Sequence, residues 1–268
     1  MALDSLLLYC RYATISFRSQ MQYRASLFMR TLAHFMVTGG EFLGFVALFQ
    51  RFGQINGWTL PQMGLFYGII SMSFALSEGI LRGFDIFPGL IKTGEFDRIL
   101  LRPRSAAFQV LGQDFQLMRF GRFSQALLIL IWSAHRLDLV WTFGNLALVM
   151  IAVAGGVCLF SGLFVFQATL CFWTTESLEL VNCATYGGVE SAQFPVSIYR
   201  PWFRAIFTFV IPLATINYFP IHALLDLTDP LGSTRWIQWC SPLAGVAFLL
   251  VSLRFWRFGV KRYSSTGS

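Results

Sequence analysis

Six apolar runs, each close to the length of a membrane-spanning helix, constrain the fold of this chain more than any other feature. An α-helix needs about 20 mostly apolar residues to cross the hydrocarbon core of a bilayer. The sequence is 56% hydrophobic and only 12% charged, whereas soluble proteins carry about 25% charged residues. Since its polar side chains are too few to cover a soluble globule, we predict an all-α integral membrane protein with six transmembrane helices. The predicted spans of this single domain, 1–268, cover residues 27–49, 63–81, 112–134, 144–172, 203–219 and 242–258.

An amphipathic segment, 3–25, precedes the first predicted span. Its apolar residues recur at helical spacing, while Arg11, Arg18 and Arg24 occupy another face. A helix of this kind lies in the membrane interface, with its apolar side in lipid and its arginines near the headgroups. We therefore predict an N-terminal interfacial helix, with a cytosolic extension of the first span as the alternative.

The distribution of basic residues predicts the orientation of the spans. If the N-terminus is inside, the outer loops contain only Arg51, Arg136 and Arg235 of the 20 lysines and arginines. Such an excess of basic residues on one side identifies the cytoplasmic side, so both termini are expected there. The tryptophans agree, because all eight fall near span boundaries, as in an aromatic belt. Those assigned to the outer boundary are Trp58, Trp132, Trp141, Trp236 and Trp239, and those assigned to the inner boundary are Trp173, Trp202 and Trp256.

Three features depart from this simple alternation of apolar spans and polar loops. Glu41 lies in the first predicted span and Glu78 near the inner end of the second. An ionisable group in lipid is costly and is a functional hypothesis by default, the alternative being a protonated or hydrogen-bonded structural carboxyl. The outer loop 220–239 is long, apolar and aromatic. We expect that loop to dip back toward the membrane.

Motifs for catalysis and cofactor binding are missing from the sequence. Ile91 stands where a phosphate-binding GxxxxGK[ST] loop requires glycine before Lys92 and Thr93. The three histidines and five cysteines lack the spacing of metal ligands, and no GxSxG nucleophile motif occurs. The basic residues form short clusters and no single stripe, which argues against nucleic-acid binding. We therefore predict no catalytic residue, metal or cofactor on this chain, no nucleic acid as a partner, and membrane lipids around the spans.

The loop 84–103 between the second and third predicted spans is too polar to cross a bilayer and too regular to be a passive connection. Its stretch GEFDRILLRP begins with a helix breaker and ends with Pro103. Helical spacing places Phe96, Ile99 and Leu100 on one side. A short amphipathic helix of this type suits docking into a groove on a soluble partner, with the apolar side inward. A loop helix resting on the membrane is the alternative.

Several sequence pieces together resemble one family. They are GEFDRILLRP at 94–103, ALSEGILRG at 75–83, YGG at 186–188, FVIP at 209–212, YFP at 218–220 and the ending YSSTGS at 263–268. In their order and spacing they resemble ABC-2 type permeases, the membrane subunits of bacterial ABC exporters, and most closely the viologen-exporter-like branch. The resemblance implies six transmembrane helices, an interfacial helix and a cytoplasmic coupling helix in the bacterial cytoplasmic membrane.

The resemblance also implies partners and sites. Two ABC ATPase subunits would bind ATP and Mg, and a second permease, identical or related, would complete the transporter. The coupling role carries over to Gly94, Glu95, Phe96, Asp97, Arg98, Ile99 and Arg102. The second inner loop, 176–193, is a further expected ATPase contact. A substrate path between the permeases is expected near Glu41, Phe45, Tyr67 and Phe209.

The function expected from these observations is export of a small hydrophobic or amphipathic molecule, driven by a separate ATPase chain. The 29 phenylalanines are consistent with an apolar cavity, although lipid-facing or packing roles explain them equally. Export of a lipid or lipid-linked glycan is the nearest alternative. An ion-coupled carrier in which Glu41 takes a proton, and a membrane enzyme, are the remaining ones.

Overall fold

The computed structural model describes residues 2–174 and 178–264, and these residues form helices joined by turns, without a β-sheet. The helices are, in chain order, α1 (Ala2–Gln22), α2 (Arg24–Phe52), α3 (Leu60–Asp85), α4 (Phe87–Lys92), α5 (Glu95–Leu100), α6 (Ala106–Leu111), α7 (Phe120–Arg136), α8 (Phe143–Leu170), α9 (Leu178–Ala192), α10 (Pro201–Ala205), α11 (Tyr218–Leu224), α12 (Arg235–Cys240) and α13 (Leu243–Arg262). A π-helical turn, Ile206–Val210, continues α10.

By length and composition, four helical segments of the described chain could cross a membrane: α2, α3 together with α4, α8 and α13. A bent pair of shorter helices, Pro201–Val210 and Leu213–Leu224, raises the number to five if that pair is one span. The helix in the region of the third predicted span, α7, has 17 residues and begins at Phe120. An irregular segment and a short 3₁₀-helix, Leu117–Arg119, occupy residues 112–119, so the long helix of this region begins eight residues after the predicted start at 112. The count of six spans stays a prediction.

Helix α3 lies at the centre of the fold, packed between α7 and α8. Small residues allow this close packing. Gly64 of α3 lies against Ser133 of α7, and Ser73 Oγ of α3 donates to the Val153 carbonyl oxygen of α8 at 3.2 Å. Since lipid tails are as apolar as the helix surfaces, close van der Waals contact and interhelical hydrogen bonds are what hold such helices together.

Helices α8 and α13 cross at two glycines whose backbones nearly touch. A Cβ atom added to Gly245 would lie 2.0 Å from the Gly155 carbonyl oxygen. Because the obstructing atom is backbone, the helices would have to separate to admit a side chain. The glycine pair therefore sets the distance between α8 and α13.

We expect Gly245→Ala to lower the free energy of unfolding by about 1–3 kcal/mol, the usual cost of overpacking a closely packed contact. Gly44→Ala in α2 is the matched control, since a Cβ at Gly44 meets no neighbouring atom within 4 Å. The measurement is unfolding of both purified variants in detergent micelles. Equal stabilities of the two variants would contradict this account of the crossing.

The segment 201–224 is a bent hairpin and does not run as one straight span. The second arm is bent by 74° from the direction of the first. Val196, just before the first arm, and Leu224, at the end of the second, belong to the hydrophobic cluster around the start of α3. Leu213 and Ile216, next to the bend, belong to the other cluster, around the middle of α3. A bend of this kind belongs either to a broken span or to a re-entrant loop.

Pro212 explains the position of the bend. Proline has no N–H to continue a helix and disfavours helical geometry in the preceding residue. Ile211 accordingly has extended backbone angles, φ −118° and ψ 93°. The predicted span 203–219 is thus broken at Pro212 into two arms.

Helix α9 lies inside the bundle beside α3 and not in an inner loop. Tyr186 packs edge-on against Phe74 of α3 with ring centroids 5.6 Å apart. Further along, Phe194 stacks on Phe45 of α2 at 4.9 Å. In the described part of the predicted inner loop 176–193, Thr185, Val189 and Gln193 are buried and unavailable to an ATPase, whereas Tyr186, Gly187 and Glu190 are exposed.

The hairpin places three residues near the loop between α11 and α12, which is predicted to lie on the outer side. Arg204 lines a groove together with residues of the loop between α11 and α12, and Arg200 and Trp202 immediately precede it. If that loop is outside, Trp202 lies at the outer boundary and not, as predicted, at the inner one. With Arg200 and Arg204 counted as outer, the outer side has five of the 20 lysines and arginines and no longer three. The excess of basic residues on the inner side is smaller but remains. In the outer loop 220–239, residues 220–224 are buried.

Candidate functional site

The segment α4–α5 forms a compact elbow at the end of α3. Gly94 takes the left-handed conformation, φ 70°, that separates the two short helices, and glycine adopts it without a Cβ clash. The predicted coupling role of α5 depends on which of its side chains face outward.

The apolar face of α5 is directed into the protein. Phe96 is fully buried, with 0% of its surface exposed, and Ile99 is also buried. Phe96 packs edge-on against Phe87 of α4 at 5.0 Å and against Tyr263, just beyond α13, at 5.1 Å. The side chain of Gln109 donates to the Ile99 carbonyl oxygen at 3.1 Å. This corrects the expectation that Phe96 and Ile99 enter a groove on a partner, because their own chain already covers them.

The outward face of α5 is charged and partly aliphatic. Glu95, Arg98 and Arg102 are exposed, as are Leu100 and Leu101. Asp97 is half-buried. Of the predicted coupling residues, Glu95, Arg98 and Arg102 remain available to a partner, while Phe96 and Ile99 fix the helix in position. Leu101 was missed, although it adjoins the predicted helix.

A buried ion pair lies above this elbow, near the end of α3. Glu78 is 2% exposed and its Oε1 accepts from Arg119 Nη2 at 2.6 Å. Arg82 Nη1 is 4.0 Å from the same oxygen and pairs with Asp85. Leu81, between these acidic and basic residues, departs from helical angles. The end of α3 that leads into the elbow is thus kinked and fixed to the start of α7 by charge.

The helix α1 is attached to the same region. Gln20 donates to the carbonyl oxygen of Phe115 and accepts from the Leu117 backbone N–H at 3.2 Å. Ser16 Oγ donates to the Phe115 carbonyl oxygen at 3.2 Å. These contacts join the amphipathic helix to the turn that carries Arg119.

Three of the four predicted path residues lie together between α2 and α3. The rings of Phe45 and Tyr67 are 5.9 Å apart, and Glu41 interacts electrostatically with Tyr67. The Tyr67 hydroxyl donates to the Thr38 carbonyl oxygen at 2.8 Å. Phe209 lies elsewhere, in the π-helical turn of the hairpin, with 84% of its surface exposed.

Two polar residues near this group were not predicted. Gln125 Oε1 accepts from the Tyr67 hydroxyl at 3.3 Å. The guanidinium of Arg122 lies 5.0 Å from the centre of the Phe74 ring, a cation–π geometry. Both residues lie inside the third predicted span, 112–134, and neither belongs to a motif that would have identified it.

At the opposite end, Asp229 organises the loop between α11 and α12. Its carboxylate accepts from the Tyr218 hydroxyl at 2.9 Å and from the backbone N–H groups of Leu231 at 2.9 Å and Ser233 at 3.1 Å. Burial raises the pKa of Asp229, but these hydrogen bonds outweigh burial and hold the pKa below its ordinary value.

A lowered carboxyl pKa stabilises the fold above the unfolded-state pKa and loses that effect as pH falls through the folded-state value. We expect Asp229→Asn to destabilise the protein by about 1 kcal/mol at neutral pH, since the carboxylate is only partly buried. This difference should shrink below about pH 4. Thermal unfolding of both proteins across pH is the measurement. Asp226→Asn is the control, because Asp226 is exposed, and a larger effect there would contradict the assignment.

No group of histidine, cysteine and acidic side chains that could hold a metal ion occurs in residues 2–174 and 178–264. The arrangement instead contains an outward charged helix on a buried anchor and an interior lined by aromatic and polar groups. Comparison with known proteins agrees with this picture. A family model described as ABC-2 family transporter protein matches residues 35–267. No curated protein and no solved structure matches the chain.

Proposed function

The chain belongs to the ABC-2 family of transporter proteins, and from this membership we propose that it is the membrane-spanning permease subunit of an ATP-driven exporter. ATP and Mg are bound by a separate ATPase chain, two copies of which act on two permeases, identical or related. The chain itself does no chemistry.

One observation carries the proposed coupling role: α5 has an exposed charged face on a fully buried aromatic anchor. The exposed face, Glu95, Arg98 and Arg102 with Leu100 and Leu101, provides the contact for the ATPase. A partner with complementary charges can bind this exposed face. Because Phe96 is packed against α4 and the residues beyond α13, a push on α5 moves these elements together.

The proposed cycle follows from this connection. ATP binding closes the ATPase pair, the two α5 helices move with it, and the permeases shift between inward and outward openings. The ion pair between Glu78 and Arg119 joins the elbow to α7. Movement of α5 therefore reaches the α2–α3–α7 interior.

We assign the cargo to the hydrophobic or amphipathic class. The group formed by Glu41, Phe45 and Tyr67 combines two buried aromatic rings with one carboxyl. If α2 and α3 separate during the proposed cycle, this group fits a molecule that has an apolar body and a polar end. A lipid or lipid-linked glycan has the same general chemistry and is the second candidate.

We also propose that both termini lie in the cytoplasm of a bacterial cell, in its cytoplasmic membrane. Fifteen of the 20 basic residues fall on the side of the termini, which supports this orientation. In this topology α9 takes the place of the fifth span and the hairpin 201–224 enters from the outer side without crossing.

Copurification of the tagged chain with its partners, followed by reconstitution in vesicles, tests the proposed function. We expect an ATPase to copurify and its hydrolysis to rise in the presence of transported compounds. Transport driven by an ion gradient alone, in a preparation without ATPase, would overturn the proposal. A panel of lipids and small amphiphiles distinguishes the two cargo classes.

A further inference from the structure

A groove opens on the surface between the hairpin 201–224 and the start of α13. Its volume is about 790 Å³, within the range of about 300–1,000 Å³ that small-molecule sites occupy. The first arm of the hairpin forms one wall, and the loop between α11 and α12 together with α12 forms the other. The groove lies apart from the α5 elbow and from the group around Tyr67.

The walls of the groove are mostly apolar. Phe209 and Ile237 lie exposed at its edges, and Phe219 is buried in its wall. The polar groups deepest in the groove are already paired, because Ser241 Oγ donates to the Thr215 carbonyl oxygen at 2.8 Å. An occupant therefore meets hydrocarbon surface along most of the groove, and a chain of methylene groups gains free energy by filling it.

One positively charged side chain lies at the edge of this apolar surface. Arg204 is the single charged side chain among the described residues that line the groove, and no described carboxylate forms an ion pair with it. Thr208 lines the same groove and contributes a hydroxyl group, whereas the Ser233 hydroxyl accepts from Gln238 at 3.1 Å. A guanidinium with a neighbouring hydroxyl binds phosphate by charge-assisted hydrogen bonds.

Two exposed tryptophans indicate the level of the groove in the membrane. Trp202 lies two residues before Arg204, and Trp236, with 82% of its surface exposed, lies next to Ile237. Tryptophan is enriched at the boundary between hydrocarbon and water. Arg204 is thus at headgroup level, and the wall around Phe209 faces the hydrocarbon.

We propose that this groove binds an anionic phospholipid from the adjacent leaflet, with one acyl chain against Phe209 and Ile237 and the phosphate on Arg204. Such a site anchors the hairpin to a lipid. This inference does not depend on the identity of the transported cargo or on the ATPase.

A native thiol inside the groove provides the test. Cys240 lines the groove and is exposed. The full chain carrying Cys10→Ser and Cys183→Ser is reconstituted in vesicles of phosphatidylglycerol or of phosphatidylcholine with the same acyl chains. The rate at which uncharged N-ethylmaleimide labels Cys240 is then measured. We expect labelling to be about tenfold slower in phosphatidylglycerol, the factor that corresponds to one charge-assisted contact.

Arg204→Gln in the same vesicles should abolish this protection. Arg235→Gln is the matched control, because Arg235 lies on α12 near the groove but is exposed, paired with Asp226 at 3.3 Å and absent from the lining. It should leave the protection intact. A groove-filling variant, Ala205→Trp, should slow labelling equally in both lipids.

Four results would overturn the proposal. They are equal labelling rates of Cys240 in the two lipids, equal effects of Arg204→Gln and Arg235→Gln, equal protection by inorganic phosphate in phosphatidylcholine vesicles, and a Cys240–Cys240 crosslink between two copies of the chain. The third would show a site for the anion without its acyl chain. The fourth would show that a second copy covers the groove.

Discussion

Replacing Arg119 by Ala is expected to destabilise the protein by about 3–5 kcal/mol, the usual cost of removing one partner from a buried ion pair. Glu78 is 2% exposed and Arg119 15% exposed, and their atoms are 2.6 Å apart. Without Arg119 the carboxylate would stay buried with no described counter-charge closer than Arg82, at 4.0 Å. The free energy of unfolding in detergent micelles is the measurement.

Two variants separate this explanation from a simple loss of packing. Arg82→Ala should cost less, since Arg82 is 24% exposed and lies 4.0 Å from the Glu78 carboxylate, against 2.6 Å for Arg119. The double variant Glu78→Gln with Arg119→Gln should recover most of the lost stability, because it removes both charges together. A double variant as unstable as Arg119→Ala would contradict the ion-pair account.

The all-helical character of the chain follows from hydropathy alone, and four of the predicted spans coincide with long helices of the structure. The hairpin could not be predicted in this way. Hydropathy reports that 203–219 is apolar but not whether the chain leaves on the side where it entered. That information lies in contacts between distant residues, such as Leu213 beside Gly188 of α9.

The candidate site shows the same division between local pattern and distant contact. The spacing of Phe96 and Ile99 correctly placed them on one face, yet it carried no information on what covers that face. The covering rings, Phe87, Phe172 and Tyr263, come from separate parts of the chain. Similarly, the sequence identified Glu78 as a charge that is costly to bury. Its partner Arg119 could not be identified, because it lies in a separate part of the chain, just before α7.

Reversing the two exposed charges of α5, Glu95→Lys with Arg98→Glu, is expected to lower ATP-driven transport at least about tenfold while leaving the fold intact. Both residues are exposed, and surface substitutions of this kind change stability by about 0.5 kcal/mol or less. At the proposed ATPase contact, however, each reversal brings like charges together, and a loss of about 1.4 kcal/mol in binding corresponds to the tenfold effect.

A matched control for this reversal lies at the end of the helix bundle opposite to α5. Asp226 and Arg235 also form an exposed pair of opposite charge, 3.3 Å apart, so Asp226→Arg with Arg235→Asp changes the same number of charges without touching α5. The measurements are ATPase copurification and ATP-driven uptake into inverted vesicles. If both double variants transport equally well, α5 is not the contact. If α5 is the contact, only the α5 reversal loses the ATPase. Phe96→Ala should then lose transport although the exposed charges of α5 are unchanged, because the ATPase would act on a helix that is no longer anchored to the membrane domain.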